Sequence, residues 1–168
     1  MRIADQSRDQ QLRTLLSICG YQPERQFHPH GFKEFAAQNG FPWSAACRIF
    51  VKAYANLPHT CIYLGDVADG CAKYDFTMDI SVKAAKLEQA TPDFQKMCAH
   101  CEEELLPVGT FGYYYPGILA LDGAGKLYLY HDYDERVVQY DTLHEALDGE
   151  LQKNTLGFIS RVQFSVID

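Results

Sequence analysis

Residues 119–135 read "LALDGAGKLYLYHDYDE", and apolar side chains alternate with others on both sides of a glycine-containing loop. This pattern predicts a β-hairpin with residues 123–125 as its loop and with Asp122 paired to Lys126. A three-residue hairpin loop needs a left-handed residue at its end, and Gly125 supplies it. The stretch therefore predicts an antiparallel sheet in this part of the chain.

The register of this hairpin sorts its side chains onto two faces. One face is wholly apolar and predicts the core side: Leu119, Leu121, Leu127 and Leu129. The other face carries Tyr128 opposite Ala120 and Tyr130 opposite Ile118, and the second strand then runs into acidic residues. Tyrosines are amphipathic, so they either lie under a helix or stand in solvent as interface anchors.

We interpret the tyrosines and acids of this region as a partner-binding site, because aromatic anchors rimmed by charge are typical of protein–protein hot spots. The expected contacts are Tyr128, Tyr130, Asp132, Asp134 and Glu135, with Tyr113 and Tyr114 as secondary members. The alternative is that Tyr113–Tyr115 pack loops and that Tyr128 and Tyr130 close a minor core.

Charge is distributed unevenly along the chain. Residues 1–98 hold 11 Lys and Arg against 10 Asp and Glu, whereas residues 99–150 hold 2 against 11. A field of this sign repels phosphate backbones, so no nucleic-acid partner is expected, and it attracts a basic protein. A solvated acidic face that only maintains solubility is the alternative.

Length and composition favour one intracellular domain over residues 1–168. With 47% hydrophobic residues the chain can bury a sizeable core. No apolar run approaches the length of a membrane span, and the N-terminus lacks the apolar centre of a secretory signal, so a cytoplasmic location without membrane contact is expected. The six cysteines are expected to be reduced thiols, and no cofactor is expected.

Helical periodicity dominates the first half of the chain, where three apolar stripes predict three helices. The first stripe is Leu12, Leu15, Leu16 and Cys19, with Gly20 as its stop. The second is Phe32, Phe35 and Ala36, ending at Asn39-Gly40. The third begins near Pro42, contains Ala46, Ile49, Phe50, Ala53, Tyr54 and Leu57, and stops at Pro58.

The remainder alternates between strands and helices. Strands are predicted over 60–65, 71–78, 105–112, 117–122, 126–133 and 136–140, with a turn over 66–70. Helices are predicted over 80–89, from the Thr91 N-cap to about Glu104, and over 142–152. The stretch 157–167 predicts one more edge strand, and the series as a whole predicts an α+β domain.

Two constellations suggest chemistry. Cys98 and Cys101 form a CxxC motif, but they share a helical stripe with Phe94 and Met97 and lie about two turns inside the helix, where backbone N–H groups do not stabilise a thiolate. A thiol-dependent or metal-dependent enzyme using this pair remains an alternative, and zinc would need a second ligand pair such as His28 and His30. On a strand, Asp132 and Asp134 both point to the face opposite His131. These residues are therefore not expected to form an acid–base site.

Several segments occur in an order that resembles the SUKH superfamily, specifically its third branch of bacterial immunity proteins. "LLSICGYQPERQF" is similar to the opening helix and Gly-aromatic-x-Pro-x-Arg turn, with Gly20, Tyr21, Pro23 and Arg25. "FPWSAACRIFVKAYANL" is similar to the family's Phe-Pro helix, with Phe41, Pro42, Ala46, Phe50, Tyr54 and Leu57. "DFTMDISVKA", "LLPVG", "LALDGAGKLYLY" and "TLHEALDGEL" are similar to the later strand, hairpin and closing helix, with Pro107, Gly109, Asp122, Gly125 and Tyr128.

The resemblance covers about residues 12–151 and leaves 152–168 as a C-terminal extension. It departs from the family at Tyr21, where the family often has tryptophan, and in the Cys98/Cys101 pair. It implies helices packed on one face of a mainly antiparallel twisted sheet, no enzymatic activity, and binding to a cognate toxin domain in the producing cell. A general interaction scaffold of the same fold, with a partner that is not a toxin, is the remaining alternative.

Overall fold

The hairpin around Gly125 forms with the predicted pairing in a computed structural model, which describes residues 6–64, 74–113, 115–153 and 162–164. Its strands pair Leu119 with Leu129 and Ala120 with Tyr128. Gly125 has φ of +87°, the left-handed conformation that the loop needs. A Cβ atom there would lie 2.8 Å from the Cβ of Ala46, so the loop also packs too closely for a larger residue.

Six helices and seven strands lie within the described residues. The helices are α1 (Arg8–Ile18), α2 (His30–Asn39), α3 (Ala45–Tyr54), α4 (Val82–Gln89), α5 (Pro92–Cys101) and α6 (Leu143–Lys153). The strands are β1 (Cys61–Leu64), β2 (Tyr74–Ile80), β3 (Leu106–Tyr113), β4 (Gly117–Leu121), β5 (Leu127–His131), β6 (Arg136–Tyr140) and β7 (Val162–Phe164).

The strands form one sheet in the order β6-β5-β4-β3-β2-β1-β7, and every neighbouring pair is antiparallel. The four hairpin leucines lie in the main core together with apolar residues of α1, α2, α3 and α6. This arrangement confirms the predicted α+β domain with helices against an antiparallel sheet, and β7 confirms the predicted strand at the sheet edge.

Helix α5 adds a layer on the opposite face of the sheet. Its Phe94 and Met97 pack against Ile118, Tyr128 and Tyr130 in a second, smaller core. Thr91 caps this helix as predicted, because its side chain accepts a hydrogen bond from the N–H of Phe94 at 3.2 Å. The face of the hairpin that carries the tyrosines is therefore covered by protein.

Two helix predictions need correction. Helix α3 begins at Ala45, after the Ser44 N-cap, and its buried residues are Cys47, Phe50 and Val51, whereas Ile49 is 67% exposed. The Cys47 thiol donates to the backbone oxygen of Asp122 at 3.3 Å, which turns the Cys47 side of the helix toward the hairpin. Helix α5 ends at Cys101 and not at Glu104, because Glu102 adopts the left-handed conformation with φ of +54°.

The first two strands differ slightly from their predicted bounds, since β1 covers 61–64 and β2 covers 74–80. The turn predicted over 66–70 lies outside the described residues, as does the C-terminal extension apart from residues 152–153 and 162–164.

Candidate protein-interaction site

The two tyrosines that we expected to contact a partner are buried. Tyr128 is 4% exposed and Tyr130 is 1% exposed, because helix α5 lies over them. Tyr113 is also buried, in the main core, and Tyr114 lies outside the described residues. The prediction that Tyr128, Tyr130 and Tyr113 are surface anchors is therefore wrong for this fold, and the alternative of a minor core describes Tyr128 and Tyr130.

Tyr128 has a structural role that its hydrogen bonds make clear. Its hydroxyl donates to Oδ2 of Asp122 at 3.1 Å and accepts from the side-chain amide of Gln139. The other carboxyl oxygen of Asp122 accepts from the backbone N–H groups of Ala124 and Lys126, at 2.8 and 3.0 Å. Tyr128 thus joins the hairpin loop to strand β6.

The acids that we expected at the site are exposed. They lie in the turn between β5 and β6, residues 132–135, which we call the acidic turn: Asp132, Tyr133, Asp134 and Glu135. The N–H of Glu135 donates to the backbone oxygen of His131 at 3.0 Å, and Glu135 has φ of +52°. The N–H of Arg136 donates to Oδ1 of Asp134 at 3.2 Å. These bonds stabilise the turn, and its side chains are exposed.

Two other tyrosines supply the exposed aromatic surface. Tyr115 and Tyr133 are each 58% exposed, and their ring centroids are 6.5 Å apart. Tyr133 also stacks on the ring of His131, at 4.9 Å between centroids. Neither residue is among the contacts that the sequence predicts. Tyr115 precedes a proline and Tyr133 lies in a turn, and both positions are typical of loop residues that have no sheet face to pack against.

A cleft of about 240 Å³ opens beside this surface. We call it the acidic cleft, and its lining residues come from four places in the fold: Glu88, Asp93, Tyr115, Pro116, Gly117, Ile118, Tyr130 and Asp132. Thr91 forms the corner between α4 and α5, since its hydroxyl donates to the backbone oxygen of Glu88 at 2.7 Å while it caps α5. This corner places the Glu88 and Asp93 side chains at the same cleft.

The electrostatics of the cleft are dominated by carboxylates. Burial raises the pKa of Glu88, and the nearby Asp93 raises it further. Lys96 partly offsets the acids, because its Nζ lies 3.2 Å from Oδ1 of Asp93 and 3.4 Å from Oε1 of Glu135. These lysine contacts are on the surface and contribute little to folding stability. The cleft is therefore a negatively charged recess beside two exposed aromatic rings.

A buried polar pair lies beneath the acidic turn. Nε2 of His131 is 2.8 Å from Oε2 of Glu150, and the two side chains are 2% and 1% exposed. A Cβ atom on Gly117 would lie 2.8 Å from Nδ1 of His131, so only glycine fits at this position of β4. Burial is the main cause that raises the pKa of Tyr140 to about 12, and the nearby Glu150 and Tyr133 contribute to the same rise. His131 stacks on the ring of Tyr133, while Asp132 and Asp134 are exposed in the turn that follows β5.

Cys98 and Cys101 are partly buried against the second core. Burial raises the pKa of the Cys98 thiol. Burial, the neighbouring Cys98 and the carboxylate of Glu103 raise the pKa of Cys101 from 9.0 to about 11. Both thiols therefore hold their protons at neutral pH, which opposes nucleophilic or redox use.

We expect the thiol of Cys101 to react slowly at neutral pH. Because its pKa is raised from 9.0 to about 11, its thiolate fraction at pH 7 falls by about a hundredfold. Iodoacetamide labelling followed by peptide mass spectrometry should show a rate at Cys101 that still rises about tenfold per pH unit between pH 7 and 9.5. An unstructured cysteine peptide with blocked termini, labelled in parallel, should level off towards the upper end of that range. A plateau at Cys101 below pH 8 would contradict this expectation and favour thiol chemistry.

A metal site finds no support in the described ranges. Within residues 6–64, 74–113, 115–153 and 162–164, no three His, Cys, Asp or Glu side chains are grouped so that they could hold a metal ion. His28 and His30 are exposed and line a separate surface recess with Lys33, Trp43 and Arg48, without Cys98 or Cys101.

Comparisons with protein-family models, with curated proteins and with solved structures find no match to this chain. None of the helices that the structure describes is long and apolar enough to cross a membrane.

Proposed function

We propose that this protein is an immunity protein, similar to the third SUKH branch, that binds a cognate bacterial toxin domain in the cytoplasm of the producing cell and neutralises it. The observation that carries the proposal is the exposed acidic turn, flanked by the exposed rings of Tyr115 and Tyr133 and by the acidic cleft. Further support comes from the order of family-like segments in the sequence and from the α+β class of the fold.

The proposed contact surface differs from the one that the sequence predicted. Asp132, Asp134 and Glu135 keep their place in it, whereas Tyr115 and Tyr133 replace the buried Tyr128 and Tyr130 as aromatic anchors. Rigid aromatic side chains surrounded by charge provide contact area at a low entropic cost. Because the turn is held by backbone hydrogen bonds, little ordering is required when a partner binds.

The charge of this surface suggests what kind of toxin it blocks. The exposed acids Asp132, Asp134 and Glu135 lie on this surface, and Glu88 and Asp93 line the cleft beside it. The surface therefore attracts a basic protein over distances of about a Debye length. A toxin that cuts or modifies nucleic acid needs a basic groove for its substrate. An acidic protein that associates rapidly with this groove would exclude the substrate without any chemistry of its own.

Co-expression tests the proposal. The proposal predicts a long reading frame directly upstream of this chain's gene. The probe is the C-terminal domain that this frame encodes, produced from an inducible promoter in cells with and without the chain. We expect growth only when the chain is present, and a complex of the two proteins should co-purify. A catalytically inactive toxin and a toxin domain from an unrelated system serve as controls. Failure of the chain to protect cells and to form a complex would contradict the proposal.

A further inference from the structure

Tyr130 lines the acidic cleft, and its buried hydroxyl group has no hydrogen-bond partner among the described residues. Tyr130 is 1% exposed, and its hydroxyl oxygen makes no hydrogen bond to any residue that the structure describes. Tyr128, two residues earlier on the same face of β5, has both Asp122 and Gln139 as partners. Buried polar groups in folded proteins are almost always paired, so an unpaired one that lines a cleft indicates a site for a polar ligand.

The charges around this hydroxyl define the sign of the ligand. Glu88, Asp93 and Asp132 line the cleft with it. Lys96 binds Asp93 and Glu135, but neither Glu88 nor Asp132 has a cationic side-chain partner among the described residues. Burial and the charge of Asp93 both raise the pKa of Glu88, so a cation placed between them would be stabilised by both groups. The cleft is complementary to a positive group.

The spacing of the acceptors defines the shape of the ligand. Within the described residues no three His, Cys, Asp or Glu side chains are grouped so that they could hold a metal ion, which disfavours a single metal ion as the ligand. A guanidinium group is planar and has five N–H donors that point in several directions, so it matches acceptors that are spread around a recess. Its faces also stack on aromatic rings, and the exposed ring of Tyr115 borders the cleft.

The volume of the cleft agrees with a single side chain. At about 240 Å³ it is smaller than the roughly 300–1,000 Å³ of pockets that hold whole small-molecule ligands. We propose that the acidic cleft receives the guanidinium group of one arginine side chain from the protein partner. This inference rests on the proposed function for the identity of that partner, but the chemistry of the cleft can be measured without it.

A small-molecule probe tests the cleft directly. The isotope-labelled protein is titrated with N-acetyl-arginine amide, and backbone amide shifts are followed by NMR. The probe concentration is raised to roughly a hundredfold above a millimolar dissociation constant, so that a site of this affinity is saturated. We expect saturable shifts at Tyr115, Gly117, Ile118, Asp132 and the α4–α5 corner. The uncharged isostere N-acetyl-citrulline amide should cause no saturable shift, and N-acetyl-lysine amide should bind at least threefold more weakly. Absence of saturable shifts with arginine would overturn the inference, as would equal binding by citrulline or lysine.

Two matched variants test the role of the unpaired hydroxyl. Tyr130→Phe removes a group that has no partner in the described fold, so its urea midpoint should equal or exceed that of the wild type, while its affinity for the arginine probe falls about threefold to tenfold. Tyr128→Phe removes a bonded hydroxyl, so its urea midpoint should fall while probe affinity stays unchanged. Glu88→Gln should lower the affinity for the arginine probe by at least as much as Tyr130→Phe does. Unchanged probe affinity in both Tyr130→Phe and Glu88→Gln would overturn the assignment of the cleft.

The two proposals fail in different ways. If the arginine probe binds the cleft but co-expression gives neither protection nor a complex, the cleft assignment stands and the toxin proposal fails. If a toxin complex forms but the probe does not bind, and if Tyr130→Phe binds the toxin domain with wild-type affinity, the immunity function stands and the cleft assignment fails.

Discussion

Replacing His131 with leucine should lower the free energy of unfolding by about 3 kcal/mol, the largest stability loss that we expect from a single substitution outside the main core. The substitution leaves the carboxyl group of Glu150 buried at 1% exposure without its imidazole partner, which lies 2.8 Å away in the native protein. It also removes the ring on which Tyr133 stacks. Equilibrium unfolding in urea measures the loss.

A double variant separates the lost pair from a general packing defect. In His131→Leu/Glu150→Leu the buried carboxyl group is removed together with its imidazole partner, and we expect the double variant to regain most of the loss. The difference between the single variants and the double variant gives the coupling free energy of the pair. A loss below about 1 kcal/mol for His131→Leu, or a double variant less stable than either single variant, would show that the pair does not stabilise the fold.

Reversing two charges of the acidic turn should weaken binding to the toxin domain by about a hundredfold or more. In Asp132→Lys/Asp134→Lys, two carboxylates that face a basic partner become ammonium groups, and like-charge contacts in an interface cost several kcal/mol. Both side chains are exposed, so the fold should be retained apart from the loss of the Asp134 bond to the N–H of Arg136. Biolayer interferometry at fixed ionic strength measures association and dissociation separately.

The matched control is Glu24→Lys/Glu34→Lys, which changes the net charge by the same amount. Both glutamates are exposed, and neither lines the acidic cleft. We expect the control to slow association only slightly, because the overall attraction falls but the contact surface is intact. Equal weakening by the two variants would mean that net charge alone matters, and no weakening by Asp132→Lys/Asp134→Lys would place the interface elsewhere.

The sequence predicted the local parts of the fold well, because short-range physical chemistry determines them. The period-two alternation of the leucines and the left-handed Gly125 were sufficient to predict the register of the β4–β5 hairpin. The Thr91 cap likewise located the start of α5, since the cap bonds to a backbone group three residues away.

What the sequence did not predict depends on how distant elements pack. The periodicity of α5 showed that Phe94 and Met97 would be buried, but it did not show which face of the sheet they would cover, and this choice decides whether Tyr128 and Tyr130 meet solvent. The acidic cleft joins Glu88 to Asp132, which are far apart in the chain and share no motif. The pairing of His131 with Glu150 links a strand to a helix in the same way.

Amide hydrogen exchange of the protein with and without the bound toxin domain tests whether the acidic turn and the acidic cleft form the interface. We expect binding to slow exchange in the acidic turn, at Tyr115, Gly117 and Ile118, and at the α4–α5 corner around Thr91, and to leave α1–α3 nearly unchanged. Slowed exchange confined to α1–α3, with the acidic turn exchanging as in the free protein, would contradict this prediction.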